Sequence, residues 1–333
     1  MWTLSEVWNN SLEQVAARKP EAREHLWASE LGKSPIDLYL KLRGTPISNE
    51  PNARSLRKFE AGNTFEWIVA LILKRAGILI DGQKHLKHQY PGMLEVTGRV
   101  DFLAGGKPNL EQYQNFKAEI GTVNLPEGFL RAGEAITKYL AENYPDGLPE
   151  TPLEIKSVSA FMFEAMQKNQ RSLKGHRLQL FHYLKSEGSE AGNLIYICRD
   201  DLRLMEFTVL NPGPVEEEYR QAVEVVSDYH KRSEEPPKER EILFDEDLGK
   251  FTKNFNIEYS LYLTKLYGYK EPIEYYEKVK PTVARWNRVI KRIKDNAKIT
   301  DKNQEALDEI EQAGFDVGKV TAKFVNGEKT EEE

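Results

Sequence analysis

The sequence predicts an α/β protein, with helices on the faces of a central mixed sheet. Segments with helical periodicity alternate along the chain with short segments of strand-like alternation, in the order helix, strands, helix, strands. Such interleaving is typical of sheets covered by helices and differs from the pattern of a bundle or a sandwich. The 333 residues suffice for one large domain with a smaller appendage.

Composition and charge narrow the class of protein. Apolar residues make up 40% of the chain and charged residues 30%, as in ordinary globular proteins. The formal net charge is −6, so any contact with a nucleic acid must come from a local basic patch. The single cysteine, Cys198, excludes an internal disulfide and a cluster held by several thiolates. A metal ion would therefore need oxygen or imidazole ligands.

No segment predicts a membrane span or a secretion signal. The longest apolar run covers residues 67–73, far short of the roughly 20 residues that cross a bilayer. The first residues lack a basic segment leading into an apolar one. We therefore expect an intracellular, cytoplasmic protein without a membrane partner.

The N-terminal part of the chain predicts helices. Residues 1–50 predict short helices that end at turns, with breakers at residues 33–35 and 44–46. The strongest helix prediction runs from Arg54 to about Ala76 and ends at Gly77, because apolar residues recur there at helical spacing. This N-terminal region is predicted to form a helical cover.

A hairpin, an insertion and a further strand follow. Residues 87–90 and 95–103 alternate like strands, and Pro91-Gly92 supplies the turn between them. Residues 107–150 predict a largely helical insertion. The next strand is predicted at residues 152–158, after a turn.

The remaining chain predicts one more helix and two strands before a linker. The helix covers about residues 178–186, and the strands lie near 194–198 and 204–210. After another predicted helix, residues 233–238 read as a linker. We therefore divide the chain into a first domain at residues 1–235 and a C-terminal helical extension at 236–333, which ends in a frayed acidic tail.

Asp101 is the first candidate functional residue. Alternation in this strand puts Val100 and Phe102 on one face and Arg99 and Asp101 on the other. A carboxylate is thus offered beside a buried strand edge. A strand-end aspartate that caps a turn is the alternative.

Glu154 and Lys156 form an acid and base pair on the next strand. Alternation sends Leu153 and Ile155 inward, while Glu154 and Lys156 project together from the opposite face. An exposed strand with an ordinary ion pair is the alternative.

Glu66 lies within the predicted long helix. The row Phe59, Gly62, Glu66, Val69 and Leu73 steps by three and four residues, so Glu66 falls in the middle of an otherwise apolar stripe. A buried unpaired charge is disfavoured by several kcal/mol. The position predicts a cation, a basic partner or a metal ion nearby, and a structural ion pair is the alternative to a metal.

Three residues of the following helix can face a common groove. Gln179 and Tyr183 are four residues apart, and His176 lies one turn earlier on the same row. A solvated helix face is the alternative reading.

Two basic runs are candidates for binding DNA. The first precedes Gln179 without an intervening acid and comprises Lys168, Arg171, Lys174, His176 and Arg177. The second, at residues 278–298, predicts an amphipathic helix whose apolar side packs and whose basic side can meet DNA or a partner protein. A solvated loop and a solvated helix face are the alternatives.

Taken in order, the candidate residues form one pattern. It is carried by the segments Gly62–Glu66, Gly98–Asp101, Leu153–Lys156 and Gln179–Tyr183. Over about residues 25–235 the sequence resembles the PD-(D/E)XK nuclease superfamily, and within it the RecB-like branch that includes the CRISPR-adaptation exonucleases. That branch often has histidine where Glu66 stands, and its iron–sulfur members need four cysteines, so a cluster must be absent here.

The resemblance implies a restriction-endonuclease-like core and a divalent-metal-dependent DNA exonuclease acting in recombination, repair or viral DNA processing. It assigns Asp101 and Glu154 as ligands of Mg²⁺ or Mn²⁺, with the Ile155 carbonyl as a candidate further ligand. Glu66 would be either another ligand or a residue that anchors the ligands from behind; oxygen ligands suit these ions. Lys156 would orient or deprotonate the attacking water and stabilise developing charge.

The same resemblance implies that Gln179 and Tyr183 position the scissile strand or the lysine. An endonuclease of the same fold, a non-catalytic DNA-binding recombination partner and an α/β protein with a different active site remain alternatives. Because no helicase motif is found, unwinding would need a partner protein.

Overall fold

The computed structural model describes residues 21–109, 127–246 and 248–325. Of the remaining chain it describes only residues 3, 6, 9, 11, 12, 111, 114, 115 and 118, and at 127–134 and 322–325 it describes the backbone alone. The chain divides into two compact units. The first comprises residues 1–46 and 51–236, and the second comprises residues 47–50 and 237–333.

The first unit is an α/β structure built on a mixed sheet, six-stranded within the described residues. Its strands are β1 (His25–Trp27), β2 (Leu79–His88), β3 (Glu95–Gly106), β4 (Leu148–Val158), β5 (Ala191–Cys198) and β6 (Leu204–Leu210). The order is β1-β3-β4-β5-β6, and β2 also pairs with β3. The pairs β1/β3 and β4/β5 are parallel, and the other pairs are antiparallel.

Helices cover both faces of this sheet. They are α1 (Pro35–Leu42), α2 (Ala53–Ala76), α3 (Glu127–Asn143), α4 (Ala160–Asn169), α5 (Lys174–Glu187) and α6 (Val215–Arg232), with a short 3-10 helix at Ala28–Glu30. Val69 of α2 packs with Ile155 and Ile197, whereas Leu180 of α5 packs with Tyr196. Adjacent residues of one strand point to opposite faces, so α2 and α5 lie on opposite sides of the sheet.

Strand β3 shares one of its edges between two partners. Its residues 96–104 pair with β2 along one edge. On the other edge, residues 95–97 pair with β1 and residues 102–106 with β4. Residues 98–101 therefore lie between the two partner strands, and we call this segment, Gly98–Asp101, the notch.

Several predicted elements are confirmed. The long helix is α2, which begins after Asn52 and ends before Gly77. The Asn52 side chain accepts a hydrogen bond from the Ser55 N–H, and Gly77 adopts the left-handed conformation with φ 67° that glycine tolerates best. The hairpin of β2 and β3, strands β4, β5 and β6 and helix α5 also lie where alternation and helical spacing predict them.

Other elements differ from the prediction. Strand β2 begins at Leu79, eight residues before the predicted start at residue 87. The prediction missed this part because residues 80–85 are all exposed and therefore show no alternation of buried and exposed positions. Strand β1 was not predicted, since a three-residue strand carries almost no periodic signal. Helix α4 was also not predicted. The predicted insertion at residues 107–150 contains α3, while most of residues 110–126 lie outside the described part of the chain.

The second unit has its own core. It contains the antiparallel strands β7 (Ile242–Asp245) and β8 (Lys250–Lys253) and the helices α7 (Phe255–Glu258), α8 (Leu263–Tyr267), α9 (Pro272–Lys294), α10 (Asp301–Gln312) and α11 (Val317–Val325). Phe251, Trp286, Val289 and Ile310 are buried together. The extension is thus helical apart from the β7–β8 hairpin, whose four-residue strands were not predicted.

The amphipathic helix predicted within residues 278–298 is confirmed as α9, with its apolar side buried. The predicted acidic tail at residues 331–333 lies outside the described residues. None of the described helices combines the length and the apolar composition needed to cross a membrane.

Gly62 within α2 and Gly77 directly after it provide a test of the C-terminal boundary of this helix. Gly62 lies in the helix interior with open space at its Cβ position, so Gly62→Ala should raise the free energy of unfolding by about 1 kcal/mol. Gly77→Ala should lower it by more than about 1 kcal/mol, because φ is 67° and the added carbon would lie 2.6 Å from the Asn109 carbonyl oxygen. Urea unfolding measures both, and changes of the same sign would contradict this account.

Candidate functional site

Asp101 ends the notch where β3 and β4 separate. The pairing of these strands stops at Phe102 and Leu153. Beyond it, Oδ2 of the buried Asp101 accepts a hydrogen bond of 2.8 Å from the Ile155 backbone N–H. The N–H and C=O groups of one strand residue point towards the same neighbouring strand. The Ile155 carbonyl is therefore directed towards β3, like the Ile155 N–H. The carboxylate thus continues the strand pairing with a side chain.

The packing of β3 changes at this point. Val100 belongs to the core beneath α5, whereas Phe102 belongs to the core beneath α2. Arg99 is exposed and Asp101 is buried. The expectation that Val100 and Phe102 share one packing face, with Arg99 and Asp101 together on the other, is therefore wrong, because simple alternation does not include this change of core.

Glu154 and Lys156 project from the other face of β4, as predicted. Leu153 and Ile155 pack with α2, and the Glu154 carboxylate forms an ion pair with the Lys156 ammonium. Glu154 has 0% of its surface exposed, so this is no ordinary surface pair. Among the described residues, no hydrogen-bond donor reaches its Oε2 atom. A buried oxygen without a donor is costly and requires a proton or another ligand.

Glu66 approaches the same cluster from α2 but lies at the rim of the core. Phe59, in the first part of its row, is 61% exposed, and only Val69 and Leu73 are buried. The continuous apolar stripe predicted around Glu66 is therefore wrong at its N-terminal end. No ion pair holds Glu66 within the described chain, so the structural ion pair weighed for it is not found.

Burial raises the pKa of all three carboxyl groups, and neighbouring carboxyl groups add to the rise at Glu66 and Glu154. Burial raises the pKa of Asp101, against Lys156 and the Ile155 N–H. Burial and then Asp101 raise the pKa of Glu66 to about 7. Burial raises the pKa of Glu154 to about 8 in spite of Lys156, and Asp101 and Glu66 add to that rise. The three groups therefore share one electrostatic environment in which full ionisation is disfavoured.

Lys156 supplies the positive charge of this cluster. Burial lowers its pKa, but Glu154, Asp101 and Glu66 together raise it well above its ordinary value. The ammonium therefore stays protonated at neutral pH, while its side chain is 23% exposed.

Gln179 and Tyr183 contribute from α5. The Gln179 Nε2 donates a hydrogen bond of 2.9 Å to the Tyr183 hydroxyl, and both side chains are buried, which rules out the solvated-face reading. Burial and the nearby Glu154 raise the pKa of Tyr183 far above its ordinary value. Gly98 makes room for this ring, because a Cβ there would lie 2.8 Å from Tyr183 Cε1.

His176 turns inward. Its Nδ1 lies 2.9 Å from the hydroxyl of Tyr196, a residue paired in register with Lys156. Burial and then Lys156 lower the pKa of His176 to about 3, so its ring is neutral. Tyr196 was missed in the sequence, although alternation places it on the same face of β5 as Leu194 and Cys198.

The other residues of the first basic run lie around the start of α5. Lys168 and Arg171 are exposed. Lys174 forms an ion pair of 3.4 Å with Glu218, and Arg177 donates a hydrogen bond of 2.6 Å to the Ser172 carbonyl. Of these four residues, Lys168, Arg171 and Lys174 are exposed, and Arg177 is half-buried.

Comparisons with known proteins do not identify the chain. No protein family model and no curated protein matches the sequence. A solved structure described as the crystal structure of SSO0001 is similar over 79% of this chain and 96% of its own, with 13% sequence identity and a TM-score of 0.42. A similarity of this size does not establish a shared fold.

The donor atoms of the cluster suit a hard divalent cation. In the described part of the chain, no three His, Cys, Asp or Glu side chains are grouped closely enough to hold a metal ion as they now stand. The available donors are nevertheless all oxygens: the carboxylates of Asp101, Glu154 and Glu66 and the Ile155 carbonyl. A buried Glu154 oxygen without a donor fits Mg²⁺ or Mn²⁺, which would also relieve the repulsion among the carboxylates.

The contact between Gly98 and Tyr183 is testable. Gly98→Ala should lower the free energy of unfolding by about 1–3 kcal/mol, because the added carbon forces the buried ring to move. Gly82→Ala on β2 is the control, since its Cβ would lie 3.5 Å from the Phe102 ring, an ordinary contact. Equal stability of the two variants in urea unfolding would argue against a tight Gly98–Tyr183 contact.

The raised pKa of Glu154 predicts a pH dependence. Its folded-state pKa of about 8 lies above its ordinary 4.5, so it contributes stability that is lost as pH rises from about 5 to 8. The pKa of Lys156 is raised, so this group does not titrate in that window. In EDTA, Glu154→Gln should reduce this decline and leave the part that Glu66, with a pKa raised to about 7, contributes. Glu206→Gln, at an exposed position of β6, should leave the whole decline in place. Parallel profiles for all three proteins would refute the assignment.

Proposed function

We propose that the first unit is a divalent-metal-dependent nuclease that hydrolyses phosphodiester bonds in DNA, and that its sheet is a restriction-endonuclease-like core. The observation that carries the proposal is the hydrogen bond from the Ile155 N–H to Asp101. It fastens the first carboxylate of the pattern to the residue between Glu154 and Lys156. Asp101, which lies more than fifty positions before Glu154 and Lys156 in the sequence, is thereby held beside them.

Phosphodiester hydrolysis needs charge neutralisation, an activated water and stabilisation of the leaving oxygen. Asp101, Glu154 and the Ile155 carbonyl would hold a Mg²⁺ or Mn²⁺ ion, and Glu66 would supply a further oxygen. When bound, such an ion polarises the phosphate and lowers the pKa of a water molecule.

Lys156 acts as a fixed positive charge. Its raised pKa favours an ammonium that donates hydrogen bonds over a neutral amine that removes a proton. The ammonium is held by Glu154 and partly exposed, so it can donate to a non-bridging phosphate oxygen or orient the attacking water. This choice between acid and base follows from the three carboxylates around it.

Gln179 and Tyr183 are positioning residues. Because Tyr183 accepts a hydrogen bond from Gln179 and keeps its own proton, its hydroxyl can still donate. The Glu154 carboxyl group lies close enough to add to the rise of the Tyr183 pKa. The Tyr183 ring packs closely against Gly98 of the notch from the side of α5. The pair would therefore restrict the positions open to the Glu154 carboxylate.

The sequence resemblance favours an exonuclease, so the substrate is DNA with a free end. A time course on end-labelled linear and closed circular DNA, single- and double-stranded, with Mg²⁺, Mn²⁺ or EDTA, separates the possibilities. We expect metal-dependent loss of linear DNA only. Cutting of closed circles would replace this proposal by an endonuclease.

Asp101→Asn tests the site without removing its backbone contact, because an amide oxygen can still accept from the Ile155 N–H. We expect its cleavage rate to fall by at least about 100-fold. Asp228→Asn, at an exposed position of α6, should cleave like the wild type. Full-rate cleavage by Asp101→Asn, or absence of turnover by the wild type with either metal, would contradict the proposal.

A further inference from the structure

Helix α9 of the second unit has a basic outer side. Its residues 283–294 include five basic residues and no acidic one, whereas Glu274 and Glu277 lie in its first part. Arg285 pairs with Glu309. Arg288 and Lys291 are exposed and pair with no acidic side chain in the described chain. These charges are therefore available to a ligand.

The exposed charges lie in one row. Lys280, Ala284, Arg288 and Lys291 follow one another at spacings of four, four and three residues, and all four are exposed. Between Lys280 and Lys291 the helix rises by about 16 Å, at 1.5 Å per residue. A small alanine between the charges leaves this side open to a linear polyanion.

Aromatic rings continue the row at its N-terminal end. The Lys253 ammonium lies 4.5 Å from the Tyr276 ring centroid and 4.8 Å from that of Phe255, and the Lys280 ammonium lies 5.2 Å from the Tyr276 ring. Phe255 is 50% exposed, and Tyr259, one turn later, is 71% exposed. Rings and cations thus alternate on one surface.

We propose that this surface binds single-stranded DNA. We call it the α9 track and define it by Lys253, Phe255, Tyr259, Lys280, Arg288 and Lys291. Lys253 is paired with Glu258, whereas Lys280, Arg288 and Lys291 form no ion pair within the described residues. In a chain of net charge −6, these three unpaired cations on one row are complementary to a phosphate backbone. Exposed rings beside such a row stack on unpaired bases, which a duplex keeps covered. The choice of DNA over RNA rests on the proposed nuclease function.

Binding is measured by fluorescence anisotropy on the full chain in EDTA, with labelled oligothymidylate as the probe. Duplex DNA, oligouridylate and polyglutamate are the competitors. Lys280→Gln/Arg288→Gln/Lys291→Gln should bind at least about 10-fold more weakly, with the slope of log affinity against log salt shallower by about 2. Phe255→Leu/Tyr259→Leu should lose about 10-fold at an unchanged salt slope.

Lys265→Gln/Lys270→Gln/Lys302→Gln is the matched control, because it removes three exposed positive charges elsewhere in the second unit. It should bind like the wild type, and circular dichroism should show all variants folded. Equal weakening by the control, no effect of the ring variant, or tighter binding of duplex, oligouridylate or polyglutamate would overturn the proposal.

Asp101→Asn separates this inference from the proposed function. It should bind oligothymidylate like the wild type while failing to cleave. Loss of binding in the α9 variants without any cleavage by the wild type would uphold the track and refute the nuclease. Cleavage by the wild type with undiminished binding by the α9 variants would refute the track alone.

Discussion

The hydrogen bond from the Ile155 N–H to Asp101 is the contact on which the arrangement of the site depends. Along one edge, strand β3 pairs first with β1 and then with β4. At the notch between these two partners, backbone groups of β4 would have no strand partner. Buried backbone donors are almost always satisfied. A carboxylate satisfies this one, so a structural requirement of the sheet fixes the position of an acid beside Glu154 and Lys156.

Burial then determines the electrostatics. Three carboxyl groups with raised pKa values surround one ammonium, and one oxygen of Glu154 has no donor among the described residues. In this structure, Lys156 is the counter-ion of these three carboxyl groups. In the proposed nuclease, Asp101 and Glu154 would hold a divalent cation that supplies further positive charge, and Lys156 would donate hydrogen bonds to the phosphate. The same anions that hold the lysine thus keep it charged.

Much of this arrangement could be predicted from periodicity. The helical spacing of α2 and the alternation in strands β3 to β6 show which face of each element a candidate side chain occupies. The spacing of two residues places Glu154 and Lys156 on one face of β4, and the spacing of four places Gln179 and Tyr183 on one face of α5. The burial of Glu154 was not predicted. The change of core between Val100 and Phe102 could not be predicted, since it comes from the partners of β3. The inward turn of His176 likewise depends on Tyr196, which is distant in sequence.

Diffraction from crystals grown with Mn²⁺, with an anomalous difference map, tests the central claim most directly. We predict one peak of anomalous density in contact with carboxylate oxygens of Asp101 and Glu154 and with the Ile155 carbonyl oxygen, and Lys156 displaced from Glu154. Crystals of Asp101→Asn should lack the peak. Density only at other positions, with the ion pair of Glu154 and Lys156 intact, would contradict the account.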